Sequence, residues 1–206
     1  MNPKIKICGL TRKPDVELAA ALGADLLGFV FAKSPRRVTP ERVVEIAAGL
    51  SGKILKVGVF VDAPLAEIKE IANFCTLDVV QLHGSEDFDY CQALNSFKVL
   101  KVYRLGEGRD LPESSLSSYW GTLFDTWLPH QAGGGGKVFD WRMVAPWSGR
   151  QFFLAGGLTP ENVSQAIAMT RPFGVDVSSG VELAPGIKDA EKMRKFINAV
   201  KWRQIK

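Results

Sequence analysis

The chain has 206 residues, 46% hydrophobic and 23% charged, which is enough for one sizeable core and excludes a disordered or fibrous protein. A formal net charge of +4 suits an anionic small substrate at least as well as nucleic acid. Three cysteines, Cys8, Cys75 and Cys91, are odd in number and share no C-x-x-C spacing, so neither a disulfide framework nor a zinc site is indicated and a reducing cytoplasm is the expected setting.

Along the chain, apolar runs at residues 4–7, 26–31, 55–61, 78–82, 97–103, 121–125, 151–155 and 173–177 read as strands. They are rich in Val, Ile, Leu and Phe without clean alternation, the pattern of strands covered on both faces. No apolar run approaches the ~18 residues needed to span a membrane, and no long apolar segment precedes the first strand. A soluble, unprocessed protein with one globular domain over residues 1–206 is therefore expected.

Helical patterns lie between the strands. Thr39-Pro40-Glu41 and Thr159-Pro160-Glu161 each place a hydroxyl at an N-cap, proline at the first helical position and an acid in the first turn. Leu65, Ile68, Ile71 and Ala72 form one apolar helix face, and Met193, Phe196, Ile197 and Val200 form another. The stretch from Gly106 to Ser118, with its glycines, Pro112 and serines, leaves room only for a reduced or irregular fifth crossover. Eight strand–helix repeats at a pitch of ~25 residues predict a parallel α/β sheet closed into a (β/α)8 barrel. The competing open sheet lacks its G-x-G-x-x-G after the first strand.

In such a barrel the chemistry gathers at the C-terminal rim, and the seventh and eighth strands often bear phosphate loops. Gly156-Gly157 and Ser178-Ser179-Gly180 follow those two strands, and their backbone N–H groups suit an anion. Cys8, at the end of the first strand, reads either as a buried filler or as a base or nucleophile whose thiolate a neighbouring cation would favour.

Asp125 ends the sixth strand, where burial favours the protonated form and makes it a candidate acid; a capping or salt-bridged aspartate is the alternative. The following loop, 126–137, carries Gly133-Gly134-Gly135-Gly136 and is read as a substrate lid or a surface linker. Arg36, in Ser34-Pro35-Arg36-Arg37, is a candidate carboxylate clamp. Gln81 and His83 share one side of the fourth strand, with His83 a conceivable base or a hydrogen-bonding group. With only His83 and His130 available, no metal set is visible.

Taken together, Lys6-Ile7-Cys8-Gly9-Leu10-Thr11, Gly28-Phe29-Val30-Phe31, Ser34-Pro35-Arg36, Gln81-Leu82-His83-Gly84, Asp125, Phe139-Asp140-Trp141, Leu154-Ala155-Gly156-Gly157-Leu158 and Asp176-Val177-Ser178-Ser179-Gly180-Val181-Glu182 resemble the N-(5'-phosphoribosyl)anthranilate isomerase family of tryptophan biosynthesis. The resemblance implies a (β/α)8 barrel that performs a cofactor-free, metal-free Amadori rearrangement of phosphoribosylanthranilate to 1-(2-carboxyphenylamino)-1-deoxyribulose 5-phosphate.

By that resemblance Asp125 is the general acid and Cys8 the general base. Arg36 meets the anthranilate carboxylate, the turns after strands seven and eight meet the phosphate, and Gln81, His83 and Asp176 fall at pocket positions. It implies a small-molecule partner only, without nucleic acid or membrane, in a monomer or homodimer. One departure is Gly135, where the family usually has threonine, which bears on loop closure. Another phosphate-binding barrel, a noncatalytic phosphometabolite-binding barrel, and a nucleic-acid module resting on the basic 192–206 segment are the rival readings.

Overall fold

The computed structural model describes residues 2–106, 119–126 and 139–201. Eight strands form a closed ring in sequence order. They are β1 (Lys4–Ile7), β2 (Leu26–Val30), β3 (Leu55–Phe60), β4 (Val79–Leu82), β5 (Lys98–Leu105), β6 (Gly121–Thr126), β7 (Phe152–Leu154) and β8 (Gly174–Val177). Every neighbouring pair is parallel, and β1 pairs with both β2 and β8, so the sheet has no edge. The expected barrel and its eight strands are present.

The absence of alternation now has its cause. Outward side chains such as Ile5, Ile7, Leu27, Phe29, Val80, Leu82, Phe152 and Leu154 pack into the layer beneath the helices. Inward side chains Leu26, Val57, Val79, Leu100, Leu123 and Phe153 fill the barrel itself. Both faces of each strand are therefore buried, and both must be apolar.

The helices that cover the ring are α1 (Lys13–Leu22), α2 (Pro40–Ile46), α3 (Leu65–Phe74), α4 (Phe88–Gln92), α5 (Val163–Thr170) and α6 (Ala190–Lys201). Met193, Phe196, Ile197 and Val200 of α6 are all buried, as their spacing predicts. Thr39 caps α2 by accepting a hydrogen bond from the Arg42 N–H at 3.2 Å.

The second Thr-Pro-Glu differs from expectation. Residues 160–162 form a turn, and α5 starts only at Val163. Thr159 still accepts from the Glu161 N–H, but Asn162 folds back onto the Thr159 N–H at 2.8 Å and takes over as the residue that ends the loop. Between β6 and β7 the described part of the crossover is a 3₁₀ segment, Trp141–Trp147, with Pro146 inside it. The 107–118 part of the predicted irregular fifth crossover lies outside the described residues. So do Gly133–Gly136, Gly135 among them, and His130.

One buried ion pair ties the outside of the barrel to its rim. Lys101 of β5 points outward, where Nζ meets Glu86 Oε2 at 2.6 Å and the Gly84 carbonyl at 3.0 Å. Glu86 in turn accepts from the N–H groups of Asp62 and Gly84, so the loops after β3 and β4 converge on one carboxylate. Removing one partner strands the other as an unpaired charge, which costs ~3–5 kcal/mol at buried sites. Glu86→Ala is therefore predicted to lower unfolding free energy in urea by about that amount. A loss below ~1 kcal/mol would show that the pair does not hold these loops.

Candidate active site

All eleven residues singled out from the sequence line one cleft of about 230 Å³ at the C-terminal ends of the strands. These are Cys8, Arg36, Gln81, His83, Asp125, Gly156, Gly157, Asp176, Ser178, Ser179 and Gly180. They follow or end six different strands, so only closure of the ring brings them together. Val30, Val59, Ala155 and Leu158 supply an apolar wall between them.

The order around the rim matters for the chemistry. Asp125 ends β6, Gly156 and Gly157 follow β7, Ser178 to Gly180 follow β8, and Cys8 follows β1. The two glycine-bearing turns thus lie between the carboxylate and the thiol. Gly156 and Gly157 have φ of 81° and 67°, a left-handed pair that other residues adopt only under strain. A Cβ on Gly180 would come within 1.9 Å of the Leu158 carbonyl oxygen, so the two turns pack backbone to backbone. Among the described residues, the N–H groups of Gly156, Gly157, Ser179 and Gly180 make no backbone hydrogen bond outside their own short helical turn. They form a cradle of donors suited to an anion.

Asp125 has its two oxygens differently engaged. Oδ1 accepts from the Thr126 N–H at 2.7 Å, while Oδ2 lies 3.2 Å from His83 Nε2. His83 is placed by the strand alternation that puts Gln81 on the same face, with Gln81 Nε2 3.3 Å from His83 Nδ1. Arg104 donates to the His83 carbonyl at 3.0 Å. Arg36 is already paired: its Nε and Nη2 grip Glu182 at 2.9 and 2.7 Å. Glu182 also binds Lys188 at 2.8 Å, because the hairpin β9 (Glu182–Ala184) to β10 (Ile187–Lys188) folds the lysine back onto it.

These contacts set the charges. Burial alone would raise the Glu182 carboxyl, but hydrogen bonds from Arg36 and the charge of Lys188 outweigh it and hold it below the usual carboxylate range. Lys188 goes below the ordinary lysine range, because burial exceeds what its share of Glu182 returns. Burial pushes the Cys8 thiol above its ordinary value, with Lys6 pulling the other way but not offsetting it. An ordinary neighbouring cation is thus present, as a thiolate would need, yet in the free protein desolvation wins.

The residues missed from the sequence are Lys6, Glu182, Lys188 and Arg104. Lys6 had a readable signal, because it stands two residues before Cys8 on the same strand face. Lys188 had none, since its placement depends on the short hairpin.

A closed parallel barrel whose rim holds a thiol, a carboxylate and an arginine around two glycine-bearing turns places the chain in the class of (β/α)8 barrels, whose functional sites lie at the C-terminal ends of the strands. The family profile described as N-(5'phosphoribosyl)anthranilate (PRA) isomerase matches residues 5–199, and the chain belongs to that family. It is 44% identical over 200 residues to the N-(5'-phosphoribosyl)anthranilate isomerase of Pelobacter propionicus, covering 96% of this chain and 95% of the relative. The crystal structure of phosphoribosyl anthranilate isomerase from Thermotoga maritima superposes with a TM-score of 0.90 at 39% identity, covering 97% and 99% of the two chains. A structure of phosphoribosyl anthranilate isomerase in complex with reduced 1-(o-carboxyphenylamino)-1-deoxyribulose 5-phosphate superposes with a TM-score of 0.86 at 37% identity over 97% and 99%.

The buried thiols predict a pH dependence of stability. Burial raises Cys8 and Cys91 above their ordinary values and Cys75 to about 11. Unfolded thiols ionise near ~8.5, so above that pH the folded state keeps protons that the unfolded state has lost. Stability is therefore full below ~8.5 and falls as pH rises towards the folded values. The urea midpoint should drop between pH 8 and pH 10, and less so in Cys75→Ala. A midpoint that holds or rises over that interval would contradict the assignment.

Proposed function

We propose that this chain converts N-(5'-phosphoribosyl)anthranilate to 1-(2-carboxyphenylamino)-1-deoxyribulose 5-phosphate in tryptophan biosynthesis, an aldose-to-ketose Amadori rearrangement that the barrel performs by acid–base catalysis. The observation that carries the reading is that Cys8 and Asp125 line one cleft with the glycine turns of β7 and β8 between them around the rim. Membership of the isomerase family supports it.

In this mechanism the substrate phosphate sits on the N–H groups of Gly156, Gly157, Ser179 and Gly180, and the Ser178 and Ser179 hydroxyls are at hand on the same turn. That anchor fixes the furanose between β6 and β1. Asp125, with Oδ1 tied to the Thr126 N–H, uses Oδ2 to protonate the ring oxygen, and the C1'–O bond opens to an iminium. Cys8, as its thiolate, then removes the proton from C2' and becomes the neutral thiol, giving an enolamine that tautomerises to the ketone. No atom is gained or lost, so the rearrangement calls for one acid and one base. His83, beside Asp125 Oδ2, orients the carboxyl, and Gln81 orients His83.

Arg36 meets the anthranilate carboxylate. Glu182 holds Nε and Nη2 of its guanidinium, so Nη1 is the nitrogen left for a ligand in the cleft that Arg36 lines. Asp176 reaches the floor of the cleft with its charge already taken by Lys6. The three free thiols suit a reducing cytoplasm.

The test is direct. Purified protein should consume phosphoribosylanthranilate, followed as loss of its fluorescence, without added metal or cofactor. Cys8→Ala and Asp125→Asn should each lower kcat at least ~10²-fold, the range for loss of a general base or acid. Well-folded protein without turnover would favour a binding barrel. Near-wild-type kcat in either variant would remove that residue from the mechanism.

A further inference from the structure

The barrel interior beneath the cleft holds a charge pair that the mechanism above does not use. Lys6 is fully buried, with its Nζ 2.9 Å from Asp176 Oδ1 across the junction of β1 and β8. The register of that junction sets Lys6 opposite Asp176 and Ile7 opposite Val177. Lys6 shares the inner face of its strand with Cys8, one step deeper in the barrel.

Gly28 of β2 leaves room for both groups. A Cβ there would lie 2.8 Å from Cys8 Sγ and 3.1 Å from Lys6 Nζ, so thiol and ammonium border the same small space. Burying a lysine in a barrel is costly unless it is paired, and a single ion pair contributes little to stability compared with an apolar substitute. An interior of Leu, Val and Phe would fill the same volume. The cost is unexplained by packing alone.

We propose that Lys6 is a positioning residue for the catalytic base: its ammonium, held in place by Asp176, stabilises from below the Cys8 thiolate that then takes the proton from C2'. This rests on the reading of Cys8 as that base. Among the described residues, four charged groups act on Cys8. Lys6 comes from β1, Asp176 from β8, Lys188 from β10 and Arg36 from the loop after β2.

Arg36 and Lys188 are both committed to Glu182, and Asp176 opposes ionisation of the thiol. Lys6 is the cation that acts on Cys8 most strongly. Burial would discharge Lys6, but the charge and hydrogen bond of Asp176, with Cys8 beside them, outweigh it and keep the ammonium protonated above the ordinary lysine range. A permanently charged lysine under a desolvated thiol stabilises the thiolate that Cys8 becomes, by losing its own proton to solvent, before it takes the proton from C2', and no counterion has to move in from water.

The experiment follows alkylation of Cys8 by iodoacetamide in the free protein from pH 6 to 11, read on the Cys8 peptide by mass spectrometry. In Lys6→Met the rate profile should shift upward by at least one pH unit, and kcat/KM at neutral pH should fall at least tenfold. In Asp176→Asn, which removes the opposing anion, the alkylation profile should shift downward. A merely structural pair would not produce shifts of opposite sign.

If Lys6→Met does not fold, the Lys6→Met/Asp176→Asn double variant leaves no unpaired buried charge and should show a smaller upward shift. A wild-type profile in whichever lysine variant folds, or shifts in the same direction for both single changes, overturns the proposal. Failure of the underlying reading is separate, since it would appear as undiminished turnover in Cys8→Ala while the alkylation results stood.

Discussion

Parallel pairing of β1 with β8 converts an open sheet into a ring, and with it residues 170 positions apart become hydrogen-bonding neighbours. The four register pairs of that seam, Lys4 with Gly174 to Ile7 with Val177, fix which side chains face the interior from each strand. A slip of one residue would turn Lys6 and Cys8 outward and carry Ile5 and Ile7 into the cleft. The glycine at the base of the seam permits it. A Cβ on Gly174 would meet the Phe153 ring at 2.4 Å, so closure there needs the smallest residue. Once the ring is closed, the rim collects the ends of all eight strands, and the functional residues need no further long-range device to meet.

A second consequence concerns charge. The cleft and the loops around it keep cations close to a low-dielectric interior, and four of these cations are paired with carboxylates. Asp176 takes Lys6, Glu182 takes both Arg36 and Lys188, and Glu86 takes Lys101. The pairs are not equivalent in what they do. Lys101 and Glu86 lie outside the barrel and hold two loops together, whereas Glu182 holds the arginine that points into the cleft. Its carboxylate grips one edge of the guanidinium, which limits how Arg36 can turn and leaves the opposite edge for a ligand. The charges that surround Cys8 are therefore fixed by ion pairs rather than by solvent, and desolvation decides the state of the free thiol.

Much of this was legible in the sequence because the features involved are periodic or local. Apolar runs buried on both faces marked all eight strands, and the i, i+3, i+4, i+7 spacing of α6 marked its core face. Site residues at strand ends could be gathered by a topological rule before any distance was known. What was not legible depends on the path of single turns. The identical Thr-Pro-Glu triplets start one helix at once and the other three residues late, because Asn162 offers the second a competing side-chain acceptor. Lys188 reaches Glu182 only through the turn at Gly186, which has a φ of 80°. The pairing of Arg36 with Glu182 joins residues 146 positions apart, and nothing in either local sequence announces it.

The central claim is that the ring order of β6, β7, β8 and β1 places a phosphate anchor between an acid and a base. A crystal structure of this chain with reduced 1-(o-carboxyphenylamino)-1-deoxyribulose 5-phosphate bound tests it most directly. The account predicts the phosphate on the N–H groups of Gly156, Gly157, Ser179 and Gly180, the aromatic carboxylate on Arg36, and the sugar carbons between Asp125 Oδ2 and Cys8 Sγ. A ligand bound in the reverse sense, with phosphate on Arg36, or one that leaves either Cys8 or Asp125 out of reach of the sugar, would contradict it.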